Sequence, residues 1–326
     1  MTKALPKAEL HVHLEGTATP ELVRRLANRN GMRLPDGLLT ADGTFAWSDF
    51  LHFLKVYDAA SAVIRTARDY RDVTYEYLVA CAKEGVIYVE VMSSPDHAAM
   101  AGLSYEGHVE GIAQGIEDAR AETGIEARCI VTCVRHFGVA RALEVARQAA
   151  RYPHKLVTGF GMGGDEAGFP PEMFDEVYRV AHDEAGLECN VHAGEWGGPE
   201  SIRRALELPA MRLGHGVRAV EDPALVELLV ERDIVLEVCP TSNVATGIYP
   251  AYDRHPFPRL MEAGVKVTLN SDDPPYFGTT VGGEYEVAAR HFGLDDRTLA
   301  QITRTALKAA FVDEETKARL EAALPF

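Results

Sequence analysis

Two histidines one residue apart, His11 and His13, stand in the apolar run "AELHVHLEG" close to the start of the chain. Side chains at i and i+2 of a strand point the same way, so in a strand these two imidazoles converge on one point. Imidazole nitrogens suit zinc and related metals, and a catalytic zinc takes about three protein ligands plus a water. A lone buried histidine is more often a satisfied core residue; a His-x-His pair joined by later donors is a metal site. His192 in "NVHAGE" and Asp272 in "NSDDP" are natural further donors. Glu195 follows His192 by three residues, just past a strand, where it can face a metal without ligating it and move a proton. His215, between glycines in "RLGHG", can bind a metal-held hydroxide, act as a base, or mark a tight turn. Asp273 diverges from its neighbour Asp272 and faces a substrate or caps a helix. "GMGGDE", residues 161–166, offers backbone N–H and C=O groups to a flat ligand, though a glycine-rich turn alone is a weak signal. The chemistry these residues define is metal-dependent hydrolysis. A bound water whose pKa falls from 15.7 towards about 7 attacks, while Glu195 protonates the electrophile.

These residues are far apart in the chain, so something must gather them. Eight apolar or β-branched runs recur: "AELHVHL", "GVIYVEVMSS", "EARCIVTCVR", "LVTGFGMGG", "LECNVHAGE", "MRLGHG", "IVLEVCP" and "VKVTLNSDDP". Amphipathic stretches such as "SYEGHVEGIAQGIEDARAE" lie between them at helical spacing. Alternating β and α with strands this apolar implies a parallel sheet covered by helices, and a count of eight implies closure: an α/β, (β/α)8 TIM-type barrel. Each run ends in a polar residue or glycine (His13, Ser93, Arg135, Gly164, His192, His215, Thr241, Asp272), and in such a barrel these ends meet at the C-terminal face. No linker divides the chain, so residues 1–326 read as one domain. A helical insertion at about 17–84 follows the first strand. An insertion of that length is usually functional. Phe50, Leu54 and Tyr57 share a helical face there, which either covers a pocket or packs on the barrel wall.

Composition narrows the partners. Asp plus Glu number 49 against 33 Lys plus Arg, a formal charge of −16, and no basic cluster tracks a phosphate backbone, so no nucleic-acid partner is expected. No run approaches the roughly 18 apolar residues of a membrane span, and the first ten residues hold no long apolar leader. Five cysteines, an odd and widely spaced set, read as free thiols of a reducing, cytoplasmic compartment. Oligomeric state is open.

The ordered motifs "LPKAELHVHLEG", "EGVIYVEV", "HAGE", "RLGHG", "VCPTSN" and "NSDDPP" resemble the adenosine deaminase family of the amidohydrolase superfamily, over nearly the whole chain. The resemblance implies one zinc ion held by His11, His13, His192 and Asp272. It makes Glu195 the residue that protonates purine N1 and His215 the one that orients the attacking hydroxide at C6. Asp273 is similar to the carboxylate that bonds N7, and Gly164 to the glycine whose N–H meets N3; His13 and Glu15 complete the substrate-facing set. The implied reaction is deamination of adenosine and 2′-deoxyadenosine to the 6-oxopurine nucleoside plus ammonia, in purine salvage. Two departures stand out. Gly161 and Met162 replace the Asp-Leu that often opens the strand-four motif, and Glu15 stands where adenosine-specific members often carry Asp, near the sugar. Adenine deaminases of the family also carry Glu there, which leaves adenine or another 6-aminopurine as the alternative substrate. "CPTSNVATG" and "FLHFLKVYDAA" look more like the nucleoside enzymes.

Rival readings are weaker. The Cys-rich zinc signature of cytidine-type deaminases is absent. Two-metal hydrolases of the same superfamily usually need a lysine at the end of strand four, and "LVTGFGMGG" does not end in one. A catalytically dead barrel could dispense with Glu195 or Asp272, and both are present. Trp196 walls the pocket or packs at a strand end, and Arg135 with His136 supports the site or forms a surface pair. His52, His97 and His255 have no partner that the sequence names.

Overall fold

The computed structural model describes residues 5–325; the reading of the first four residues, and of residue 326 as the end of the domain, lies outside them. Eight strands run in sequence order round one parallel sheet. They are β1 (Lys7–His13), β2 (Val86–Ser93), β3 (Glu126–Val134), β4 (Val157–Gly163), β5 (Glu188–Ala193), β6 (Ala210–His215), β7 (Val235–Val238) and β8 (Lys266–Leu269). Nearly every residue in them is buried, as a sheet covered on both faces demands. Closure comes just past β8: Val12 pairs with Asp272, whose carbonyl accepts from the His13 N–H at 2.9 Å and whose own N–H donates to His11. The ring of strands is thus a nearly closed TIM-type barrel, and the residue closing it is one of the candidate metal donors.

The long segment after β1 folds into three helices, α1 (Pro20–Arg29), α2 (Phe50–Ser61) and α3 (Ala67–Lys83). Their starts are written in the sequence. Thr19 caps α1, with proline at its first position; Asp49 caps α2; Thr66 and Asp69 form a reciprocal capping box on α3. Helix α2 lies across the C-terminal end of the barrel. Phe53 packs on Phe277 with ring centroids 5.2 Å apart, and Phe50 on Trp196 at 4.7 Å. Burying a side chain the size of Phe53 contributes about 1.5–3 kcal/mol, so α2 is held by packing rather than by helix propensity. No helix among the described residues is long and apolar enough to cross a membrane.

Candidate active site

The donors converge as the strand pattern requires. Ligand atoms of His11, His13, His192 and Asp272 all lie within 4.8 Å of one another. His13 Nε2 stands 3.1 Å from His192 Nε2, and Asp272 Oδ1 lies 3.5 Å from His11 Nε2 and 3.4 Å from His13 Nε2. Space for the rings comes from glycine. A Cβ on Gly214 would sit 2.7 Å from the His11 ring, and one on Gly163 3.3 Å from the His13 ring. The glycines of "GMGG" and "LGHG" therefore make room for imidazoles, a role their sequence context hides.

Three of the four donors are held by a second group. His11 Nδ1 lies 2.9 Å from Glu237, which leaves its Nε2 buried with no hydrogen-bond partner. Ser242 donates to Asp272 Oδ2 at 2.6 Å, and Arg135, fully buried, donates to the carbonyl of His192 at 2.7 Å. Burial opposes charge on His11, but Asp272 and Glu237 outweigh it and hold its pKa up at about 9. An orphaned ring nitrogen among two more imidazoles and a carboxylate is a donor set that fits a metal cation.

Around this cluster stand the groups expected to do chemistry. Glu195 and His215 are both buried, with His215 Nε2 3.7 Å from Glu195 Oε2 and 3.9 Å from Asp272 Oδ2. Asn243 donates to His215 Nδ1 at 3.2 Å and is itself 3.1 Å from His255, so a buried chain turns the His215 ring. Burial also pushes the His215 pKa down to about 4. His215 (φ 59°) and Asp272 (φ 64°) adopt left-handed backbone that non-glycine residues rarely take, a cost of about 1–3 kcal/mol each that clusters at functional sites. Burial first, then Asp272 and Glu166, raise the Glu195 carboxyl well above the usual range. Asp273 is raised likewise, by burial and then by Asp272 and Glu195. Its side chain makes no capping bond to the short helix that it precedes. Asp272 goes the other way: burial works against ionisation, but His11 and His13 hold it well below the usual range.

Glu166 went unnoticed at the level of sequence. Buried, it accepts from three successive backbone N–H groups, those of Gly194, Glu195 and Trp196, and from the Ser201 hydroxyl. The loop that carries Glu195 is thereby fixed to the end of β4. Glu237, Ser242 and Asn243 were missed too, since each matters only through a contact the chain makes across the barrel. The open alternatives are decided: Phe50, Leu54 and Tyr57 line the cavity, Trp196 packs on Phe50, and Arg135 supports His192. His52, His97 and His255 have partners in Ser48, Asp58 and Asn243.

A cavity of about 60 Å³ opens between the donor cluster and α2, with His13, Gly164, Glu195, His215 and Asp273 in its lining. Glu15 also lines it, with its carboxylate engaged: Ser93 Oγ and Ser94 N–H donate to Oε1 at 2.8 and 3.0 Å, and Tyr57 approaches Oε2 at 3.4 Å. Gly164, at φ 102°, lies against the His136 ring.

A parallel barrel with a His/Asp donor cluster and a proton-holding carboxyl group at its C-terminal face is built for hydrolytic chemistry. The chain belongs to the adenosine deaminase family, whose sequence profile matches residues 6–324. It is 50% identical over 321 residues to an adenine deaminase of Chelativorans sp., covering 98% of both chains. Among solved structures, it superposes on the adenine deaminase of Arthrobacter aurescens with a TM-score of 0.92 at 34% identity, again over 98% of each. It also superposes on an amidohydrolase of Burkholderia ambifaria with bound Zn, at a TM-score of 0.90 and 30% identity over 99% of this chain and 90% of that one. These relatives overturn the expectation of adenosine and 2′-deoxyadenosine as substrates. That expectation leaned on the resemblance of α2 and "CPTSNVATG" to nucleoside enzymes. The physical reason against it is that the Glu15 carboxylate, which the resemblance places near the sugar, is already engaged by Ser93, Ser94 and Tyr57.

Proposed function

We propose that this chain catalyses the hydrolytic deamination of adenine to hypoxanthine and ammonia. The observation that carries the reading is the full-length likeness to adenine deaminases, and the engaged Glu15 carboxylate supports it. His11, His13, His192 and Asp272 would hold one zinc ion, the metal bound by the Burkholderia neighbour. Zinc in such a set lowers the pKa of a water from 15.7 to about 7 and so supplies a nucleophile at neutral pH.

The rest falls to the protein's own groups. Glu195, which burial keeps protonated, gives its proton to N1 and makes C6 electrophilic. His215, turned by Asn243, orients the attacking water through Nε2. Purine N7 is an acceptor and needs a donor, and the raised Asp273 carboxyl keeps a proton to offer it. The Gly164 N–H meets N3. Water oxygen bonds C6 as the C6–N6 bond breaks. One water proton restores Glu195, the other leaves with the amine as ammonia, and N1 keeps the proton it received.

The test is ammonia release from zinc-loaded protein given adenine, adenosine or 2′-deoxyadenosine. Adenine is expected to exceed both nucleosides in kcat/KM by at least about a hundredfold, the discrimination that a fitted pocket reaches. Nucleosides turned over as fast as adenine would overturn the reading.

A further inference from the structure

A free base and its nucleoside differ only at N9, so selection between them must reside in whatever faces that atom. Taking the pose just proposed, N3 lies at Gly164 and N7 at Asp273. N9 sits between N3 and N7 on the ring edge away from Glu195 and the donor cluster. The protein supplies an unbroken run of contacts along that edge. Gly164 abuts His136, a Cβ there falling 2.6 Å from His136 Nδ1. His136 Nε2 is 3.7 Å from Asp58 Oδ2, and Asp58 Oδ1 is 2.9 Å from His97 Nε2. The His97 ring packs on Tyr57 at 5.7 Å, and Tyr57 reaches Gly16, which lies against Asp273. Phe137 backs both histidines, at 5.3 Å from the His97 ring and 4.8 Å from the His136 ring.

Resting on the adenine reading, we infer that Asp58, His97 and His136 form the wall against purine N9 and thereby make the site select the free base over its nucleoside. Asp58 comes from α2, whereas the histidines come from the helical turns that follow β2 and β3, so the carboxylate staples the covering helix to the barrel where a ribose would have to emerge. His97 is buried, and the side chains of Asp58 and His136 are 30% and 19% exposed, which puts the staple at the rim of the cavity. Ribose nearly doubles the heavy atoms of adenine, and Asp58, His97 and His136, all in the cavity lining, stand where it would have to leave the base. Burial pushes the Asp58 carboxyl up, but His136 and His97 beside it bring it down to about 2, so at neutral pH it is ionised.

The experiment compares kcat/KM for adenine, 9-methyladenine and adenosine in the zinc-loaded wild type, His136→Ala and Asp58→Asn. The wild type needs no altered fold to be informative. It is expected to lose about a hundredfold or more between adenine and 9-methyladenine. In the two variants the ratio of 9-methyladenine to adenine should rise about tenfold or more, and adenosine should follow. Wild-type protein that accepts 9-methyladenine within about threefold of adenine would overturn the wall, as would folded variants with an unchanged ratio. Failure of the underlying reading is a separate result, in which adenine itself is not turned over.

Discussion

The two ends of this barrel handle buried charge in opposite ways. Towards the N-terminal end, Arg212 lies between Glu90 at 2.5 Å and Glu237 at 2.7 Å, donates to the Ala309 carbonyl and stacks over Phe311. Glu90 also accepts from Tyr88 and from the Phe311 N–H. Arg212, Glu90 and Glu237 each face an opposite charge, and Arg212 and Glu90 make further hydrogen bonds, the condition under which buried ions persist. At the C-terminal end, carboxyl groups crowd one another, His11 Nε2 is left without a partner, and two non-glycine residues adopt left-handed backbone. One end pairs its buried ions with opposite charges; the other sets like charges together, and there Glu195 and Asp273 are pushed to hold protons. Glu237 joins the two regions, taking Arg212 on one oxygen and His11 on the other.

Breaking the unsatisfied end should cost most. Asp272→Ala removes a donor but keeps the backbone bonds that close the barrel beside β1; metal content measured after dialysis should fall to near zero and turnover to background. Retention of stoichiometric metal would move the site elsewhere. A smaller effect sharpens the role of the joint. Glu237→Gln keeps the shape but weakens the hold on His11, so metal affinity measured by competition with a chelator should fall about ten- to a hundredfold, as it does for groups that orient metal-bound histidines. An unchanged affinity would leave Glu237 as a purely structural partner of Arg212.

How much was legible depended on the range of the signal. All eight strands were visible as apolar runs, because parallel strands buried on both faces have no polar alternation to confuse them. His11 and His13 were visible because their spacing is local, and His192, His215 and Asp272 because barrel closure gathers strand ends. Glu166 and Glu237 were not, since their value lies in partners 28 or more residues away: Glu166 in the amides of 194–196, Glu237 in His11. The substrate was the costliest miss. Helix α2 looks like that of a nucleoside enzyme when read as a string, yet Asp58 meets its histidines across 39 and 78 residues of chain, and only in the fold does it close the cavity.

The central claim is that the unsatisfied end works because Glu195 holds a proton there for N1. Glu195→Gln tests it most directly, with metal content and ammonia release from adenine measured on the same sample. The account predicts full metal occupancy with turnover reduced about 10²- to 10⁴-fold, the usual worth of a positioned acid. Turnover within tenfold of wild type, with metal in place, would contradict it.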